Sequence, residues 1–194
     1  MSYIGANAQG IIASIDGGTI SNATLDSTNR GGIFLIDEQT VSAESTVTYT
    51  LPSVSNLFHF IIYTSFYSSA TDNLFLAIRD SSNSAFACNA SGGRHYSDGS
   101  AMGNLNASNI TSMEINVVYN DSSKPSYSKI NLHIGSASEC PYYEVEAHQS
   151  SGTSYNFLDH RSAYSRTSGT VNNLQFLVTP ATITGSFKVF GVKV

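Results

Sequence analysis

From residue 33 onward, apolar and polar positions alternate in short runs separated by turn-forming residues. The runs cover 33–36, 45–51, 57–66, 73–79, 84–88, 112–119, 127–134, 142–148, 155–158, 174–178 and 183–194. Period two is plain in several of them. Met113, Ile115 and Val117 alternate with Glu114 and Asn116, and Ile130, Leu132 and Ile134 alternate with Asn131 and His133. One face in the core and one in water is the pattern of antiparallel sheets. In the last run, Phe187, Val189, Val192 and Val194 oppose Lys188 and Lys193, which predicts a strand that carries the end of the sequence into the sheet. Turn signals stand at 69–73, 91–93 and 120–125, and 97–106 reads as a Gly-rich loop. Many short strands of this kind predict an all-β fold, an antiparallel jelly-roll-type β-sandwich spanning 33–194. Two runs, 57–63 and 74–78, are continuously apolar. They predict central strands covered on both faces, or a face that meets a second copy of the chain. Phe58, His59, Phe60 and Phe75 are the candidate subunit-contact residues.

Residues 1–32 differ from the rest. A short apolar segment holding Ile11, Ile12 and Ile15 precedes a turn signal at Asp16, Gly17 and Gly18. Thr19 to Leu25 then alternates small or polar residues with Ile20 and Leu25, and Gly31 and Gly32 close the segment. Isolated short strands need partners. The expectation is an extended N-terminal arm that pairs with other chains, with Ile11, Ile12, Ile15, Ile20 and Leu25 as its assembly residues.

Composition agrees with strands. Apolar residues make up 41% of the 194, enough for a core, while charged residues are only 12%. A surface of Ser, Thr and Asn in place of Lys and Glu favours strands and turns over helices. The net charge of −5 and pI near 5.4 leave no basic patch for nucleic acid. No apolar run approaches the length needed to span a membrane as a helix. Met1 to Gly5 lacks the basic and apolar regions of a signal peptide, which predicts synthesis in a cytosol without export by the general pathway. Cys88 and Cys140 are expected as reduced thiols, with a late disulfide left open. The Asn-x-Ser/Thr sequons at Asn22, Asn89, Asn106, Asn109 and Asn120 follow from so much Asn, Ser and Thr.

Candidate chemistry is sparse. His59, His95, His133, His148 and His160 have no metal-ligand spacing, and strand alternation is expected to split them between faces. There is no Gly-x-Ser-x-Gly nucleophile motif. Glu144 and Glu146 share a strand face, where two acids are usually solvated. The loop acids Asp16 and Asp72 lack the surrounding pattern of a calcium loop. No catalytic residue, metal or cofactor is expected. The richest cluster holds Tyr142, Tyr143, His148, Tyr155, Asp159, His160, Arg161, Tyr164 and Arg166 among Gly and Ser. It predicts a recognition loop for sugar or protein, against the plainer reading that the tyrosines cover sandwich edges and the charges pair locally.

The closing run 183–194, with Phe187, Phe190 and Gly191, follows 173–180 in a way that resembles the end of small jelly-roll modules in tailed-phage virion proteins. The resemblance covers roughly 50–194, and 17–25 is similar to β-segments near the start of trimeric phage fibres. It implies a non-enzymatic virion structural protein made in the host cytoplasm. The leading expectation is a homotrimeric capsid decoration or cement protein, attached by its arm to other virion proteins, whether capsid or tail adaptor. The alternative is a short tail-fibre or receptor-binding protein that recognises a host surface glycan. A third reading is a carbohydrate-binding, lectin-like module. Neither a nucleic acid nor a membrane is expected as partner.

Overall fold

The computed structural model describes residues 32–52, 57–96, 103–150 and 156–193. Strands account for its regular structure. They are β1 (Gly32–Glu44), β2 (Thr46–Thr50), β3 (Leu57–Ser68), β4 (Asp72–Arg79), β5 (Cys88–Tyr96) and β6 (Gly103–Ile110). The rest are β7 (Met113–Val118), β8 (Ser126–His133), β9 (Tyr142–Ser150), β10 (Asn156–Ser165), β11 (Asn173–Leu177) and β12 (Ile183–Lys193). Every pairing is antiparallel, giving an eight-stranded sheet ordered β1-β12-β3-β8-β9-β10-β5-β6 and a four-stranded sheet ordered β2-β11-β4-β7. The chain passes between sheets at most connections, while β5–β6 and β8–β9–β10 stay in one sheet as hairpins. The result is an all-β sandwich of jelly-roll type, and from Gly32 onward the chain packs as one unit.

The core follows from the alternation. Phe60, Ile62 and Phe66 of β3, Ile130 and Leu132 of β8, and Ile183, Phe187 and Val189 of β12 are buried from the large sheet. Leu74, Leu76 and Ile78 of β4 with Leu174 and Phe176 of β11 meet them from the small sheet. Four aromatic rings tie the layers together. Phe176 lies 5.7 Å from Phe66 and 5.6 Å from Phe187, and Tyr49 of β2 stands edge-on to Phe187 at 5.2 Å. Burial, with Asp37 alongside, pushes the Tyr49 hydroxyl up to about 12. The buried Tyr143 spans the layers too, donating its hydroxyl to the Leu76 carbonyl at 3.2 Å.

Two buried polar networks stand inside, although among the described residues Thr64 Oγ1 and Arg161 Nε find no hydrogen-bond partner. Arg161 of β10 donates from Nη1 to the Glu114 carbonyl at 2.6 Å. Its Nη2 reaches Glu114 Oε1 at 3.0 Å and Asp159 Oδ2 at 3.1 Å. Asp159 is fully buried and Arg161 nearly so. Glu114 belongs to β7, so the network links the two sheets. Asn116, also buried, donates to the Tyr127 carbonyl at 3.1 Å and to Ser128 Oγ at 3.0 Å.

Three segments depart from expectation. The glycines at 92–93 lie inside β5 rather than in a turn, and residues 103–106 of the expected Gly-rich loop begin β6. The reason is local at Gly92 (φ +157°), where a Cβ would stand 2.9 Å from Arg161 Cγ and 2.7 Å from its Cα. Glycine is there so that the strand can approach the buried arginine closely. The strand expected at 155–158 runs on as β10 to Ser165.

Candidate functional site

The outer faces of the two sheets differ. On the small sheet the outward residues include the exposed Thr46, Thr48 and Thr50, Gln175 held by Arg79 at 2.6 Å, and the half-buried apolar pair Phe75 and Leu177. The outer face of the large sheet is aromatic and histidine-rich. Among the described residues, the strongly exposed large apolar side chains all belong to it: Tyr63, Tyr127, Tyr142, Leu158, Tyr164, and Ile33 and Leu35 of the edge strand β1. Register places β1 there, since Ile33 pairs with Val192 and Leu35 with Phe190, both outward positions of β12.

Cross-strand register resolves this face into rows. One row runs Val192, His59, His133, Tyr142, Tyr164, Asn89. In it, His133 stacks on Tyr142 at 5.0 Å with 22° between planes, and Asn89 donates to the Tyr164 hydroxyl at 3.1 Å. Burial and the neighbouring His133 lower the pKa of His59, while Glu144 opposes them. A second row runs Lys188, Tyr63, Lys129, Glu146, His160. Here Lys188 pairs with Glu38 at 3.1 Å and Lys129 with Glu146 at 3.6 Å. A third runs Ser186, Ser65, Tyr127, His148, Leu158. Between the last two rows lies a groove of about 450 Å³. Its origin is steric. Ser186 and Ser65 are small side chains on adjacent strands, and Tyr63, Tyr127 and Lys188 rise around them.

The predicted recognition residues are redistributed by this geometry. They lie on a β9–β10 hairpin rather than in a loop, and the pleat separates them. Tyr142, His148, His160 and Tyr164 face outward, whereas Tyr143, Asp159 and Arg161 are buried and available to no partner. Arg166 is exposed just beyond β10 and donates to Asn109 Oδ1 at 3.1 Å. Tyr155 lies outside the described residues, as do the arm residues Ile11, Ile12, Ile15, Ile20 and Leu25.

The candidate subunit-contact residues also divide. Phe60 is in the core at 1% exposure and cannot touch another subunit. His59 stands half-buried on the open face, and Phe75 is half-buried on β4. The Phe58 side chain lies outside what is described. Leu74, Leu76, Ala77 and Ile78 are already covered within one chain, which leaves Phe75 as the one half-buried residue of the run 74–78.

His59, His133, His148 and His160 do not split between faces: all four share the outer face of the large sheet. They are spread over four strands, and among the described residues no cluster of His, Cys, Asp and Glu is arranged to hold a metal ion. Glu144 and Glu146 stand exposed on the same open surface. Cys88 is buried, its thiol pushed up to about 11 by burial, while Cys140 is exposed, and both are free. No helix among the described residues is long and apolar enough to cross a membrane.

The groove residues Ser65, Ser186, Tyr127, Lys129 and Lys188 are invisible to a motif search, because they come from three strands distant in sequence. The usable signal was Tyr127 and Lys129 at the polar phase of β8. The chain is an antiparallel sandwich with one aromatic, open sheet face. The chain matches no protein-family model, no curated protein and no solved structure.

Proposed function

We propose that this chain is a non-enzymatic structural protein of a phage virion, a homotrimeric capsid decoration or cement protein that attaches through residues 1–32. The observation that carries the non-enzymatic part is the one-sided surface: exposed Tyr, His and Leu are gathered on the outer face of the large sheet, while among the described residues the small sheet has no strongly exposed large apolar side chain. Such a face serves contact with another surface. The virion setting rests on the resemblance of 183–194 and 17–25 to phage modules. In this role the arm joins capsid or tail-adaptor subunits by strand addition, and the sandwich carries the aromatic face.

The test adds full-length and 33–194 protein to particles that lack it. Full-length protein is expected to coat the particles and the truncated form to stay in solution. Equal attachment of both would remove the arm from the mechanism, and attachment of neither would end the decoration reading.

A second reading, favoured by the groove, is a short tail-fibre or receptor-binding protein that recognises a host surface glycan. A depression of about 450 Å³ between tyrosines is of ligand size. Binding of the full-length protein to host cells, with no affinity for particles, would select it over decoration.

A further inference from the structure

We propose that the apolar corner of the eight-stranded sheet's outer face, over β1, β12 and β3, packs against further copies of this chain and forms the contact that holds the oligomer together. The inference rests on the homotrimer reading above and gives it a surface.

The corner follows from register. Ile33 of β1 lies beside Val192 of β12, and Leu35 lies beside Phe190, which in turn pairs with Ile61 of β3. Tyr63 takes the next outward position of β3, and its ring meets Phe190 edge-on at 5.7 Å. These six side chains are contiguous, and none of them carries a charge. Ile33 and Leu35 are the most open of them, at 64% and 52% exposure. β1 is the end strand of its sheet, so among the described residues no further strand shields them. A joined apolar cluster of this kind is the mark of a surface that another molecule covers.

Two observations make that molecule a copy of the same chain. The first is charge. The lysines flanking the corner are matched within the chain, Lys188 with Glu38 at 3.1 Å and Lys129 with Glu146 at 3.6 Å. Nothing there selects a strongly charged partner. Two copies, each of net charge −5, repel one another in general. An uncharged patch bordered by paired charges is where they meet without that repulsion. Being apolar throughout, the patch is also complementary to itself, so the corners of several copies can converge on one symmetry axis. The second observation is area. Tyr127, Tyr142, Leu158 and Tyr164 on the same face are each about half exposed. Together with Ile33, Leu35 and Tyr63 they supply roughly 100 Å² apiece, judged from the size of such side chains. That brings the face close to the roughly 800 Å² per partner that a stable interface buries. The corner forms the centre of the contact, and the tyrosines among histidines and paired charges form its rim.

Light scattering of the full-length protein across a dilution series tests the assignment. The unaltered chain is expected to be a trimer. Leu35→Lys puts a charge at the centre of the contact and is expected to raise the dissociation constant about tenfold or more, with the circular dichroism of the strands retained. Thr46→Lys, exposed on the small sheet, is expected to leave the trimer intact. Should Leu35→Lys fail to fold, Ile33→Lys at the more exposed neighbour gives the same readout. A monomer at every concentration would overturn the contact and the homotrimer together. An oligomer unmoved by either lysine on β1 would overturn the contact and leave the homotrimer standing. Equal dissociation in Thr46→Lys would overturn the contact as well. A dimer that Leu35→Lys takes apart would keep the contact and end the trimer.

Discussion

Arg161 shows how a single residue is misread when its strand phase is hidden. In the sequence it stands among Tyr, His and Asp and suggests a recognition surface; in the fold it is a buried tie between β10 and β7. Removing one member of a buried charged network leaves charge without its compensation. Arg161→Met is therefore expected to lower unfolding free energy by about 3–5 kcal/mol, read from urea melts. An effect no larger than that of an exposed residue would mean the network is solvated. His59 offers a test by pH. Its folded-state pKa lies below the ordinary 6.5, chiefly from burial and then from His133. The unfolded chain thus takes up the proton first. Full stability from this group is present above 6.5 and is lost as pH falls through that value toward the lower folded pKa. Melting temperature is expected to drop on acidification from neutral pH, with the drop smaller in His59→Gln. An unchanged slope in that variant would remove His59 as the cause.

At the scale of elements, the strands with clean alternation were legible and those rich in glycine were not. β7 and β8 alternate apolar and polar residues, and their bounds were close to those expected. In β5 and β6 the glycines and asparagines carry turn propensity, and neighbouring strands override it. β9 lay close to the expected 142–148, whereas β10 beyond residue 158 escaped for a different reason. The inward residues of β10 include Asp159, Arg161 and Ser165, so its buried face reads as polar. What binds the elements together is the aromatic group at the middle of the sandwich. Phe176 touches rings from β3 and β12 and is fully buried. Phe176→Ala should cost about 3–5 kcal/mol, from lost transfer energy and the cavity left behind. A loss below about 1 kcal/mol would show that the layers collapse freely into the space.

For the whole molecule, β1 is paired to β12 along its length, which ties the start of the sandwich to its last strand. Val41 of β1 is buried, and Phe34 and Ile36 pack against the core. The 33–194 fragment retains these contacts. It is expected to fold and to melt cooperatively at a temperature close to that of the full chain. Aggregation of the fragment would make residues 1–32 part of the core and end the division into arm and sandwich.

The sequence by itself determined the fold class, because period-two alternation and scarce helix formers are local properties that any strand carries with it. It also located most of the strands and the apolar residues of the core. Only the tertiary structure decided which polar residues face outward and which strands lie side by side. Pleat phase turned Tyr143, Asp159 and Arg161 inward and set four histidines on one face. Pairing of β12, β3, β8 and β9 then brought Lys188, Tyr63, Lys129 and Glu146 into one row. A site assembled across strands depends on non-local register, and no local pattern encodes it.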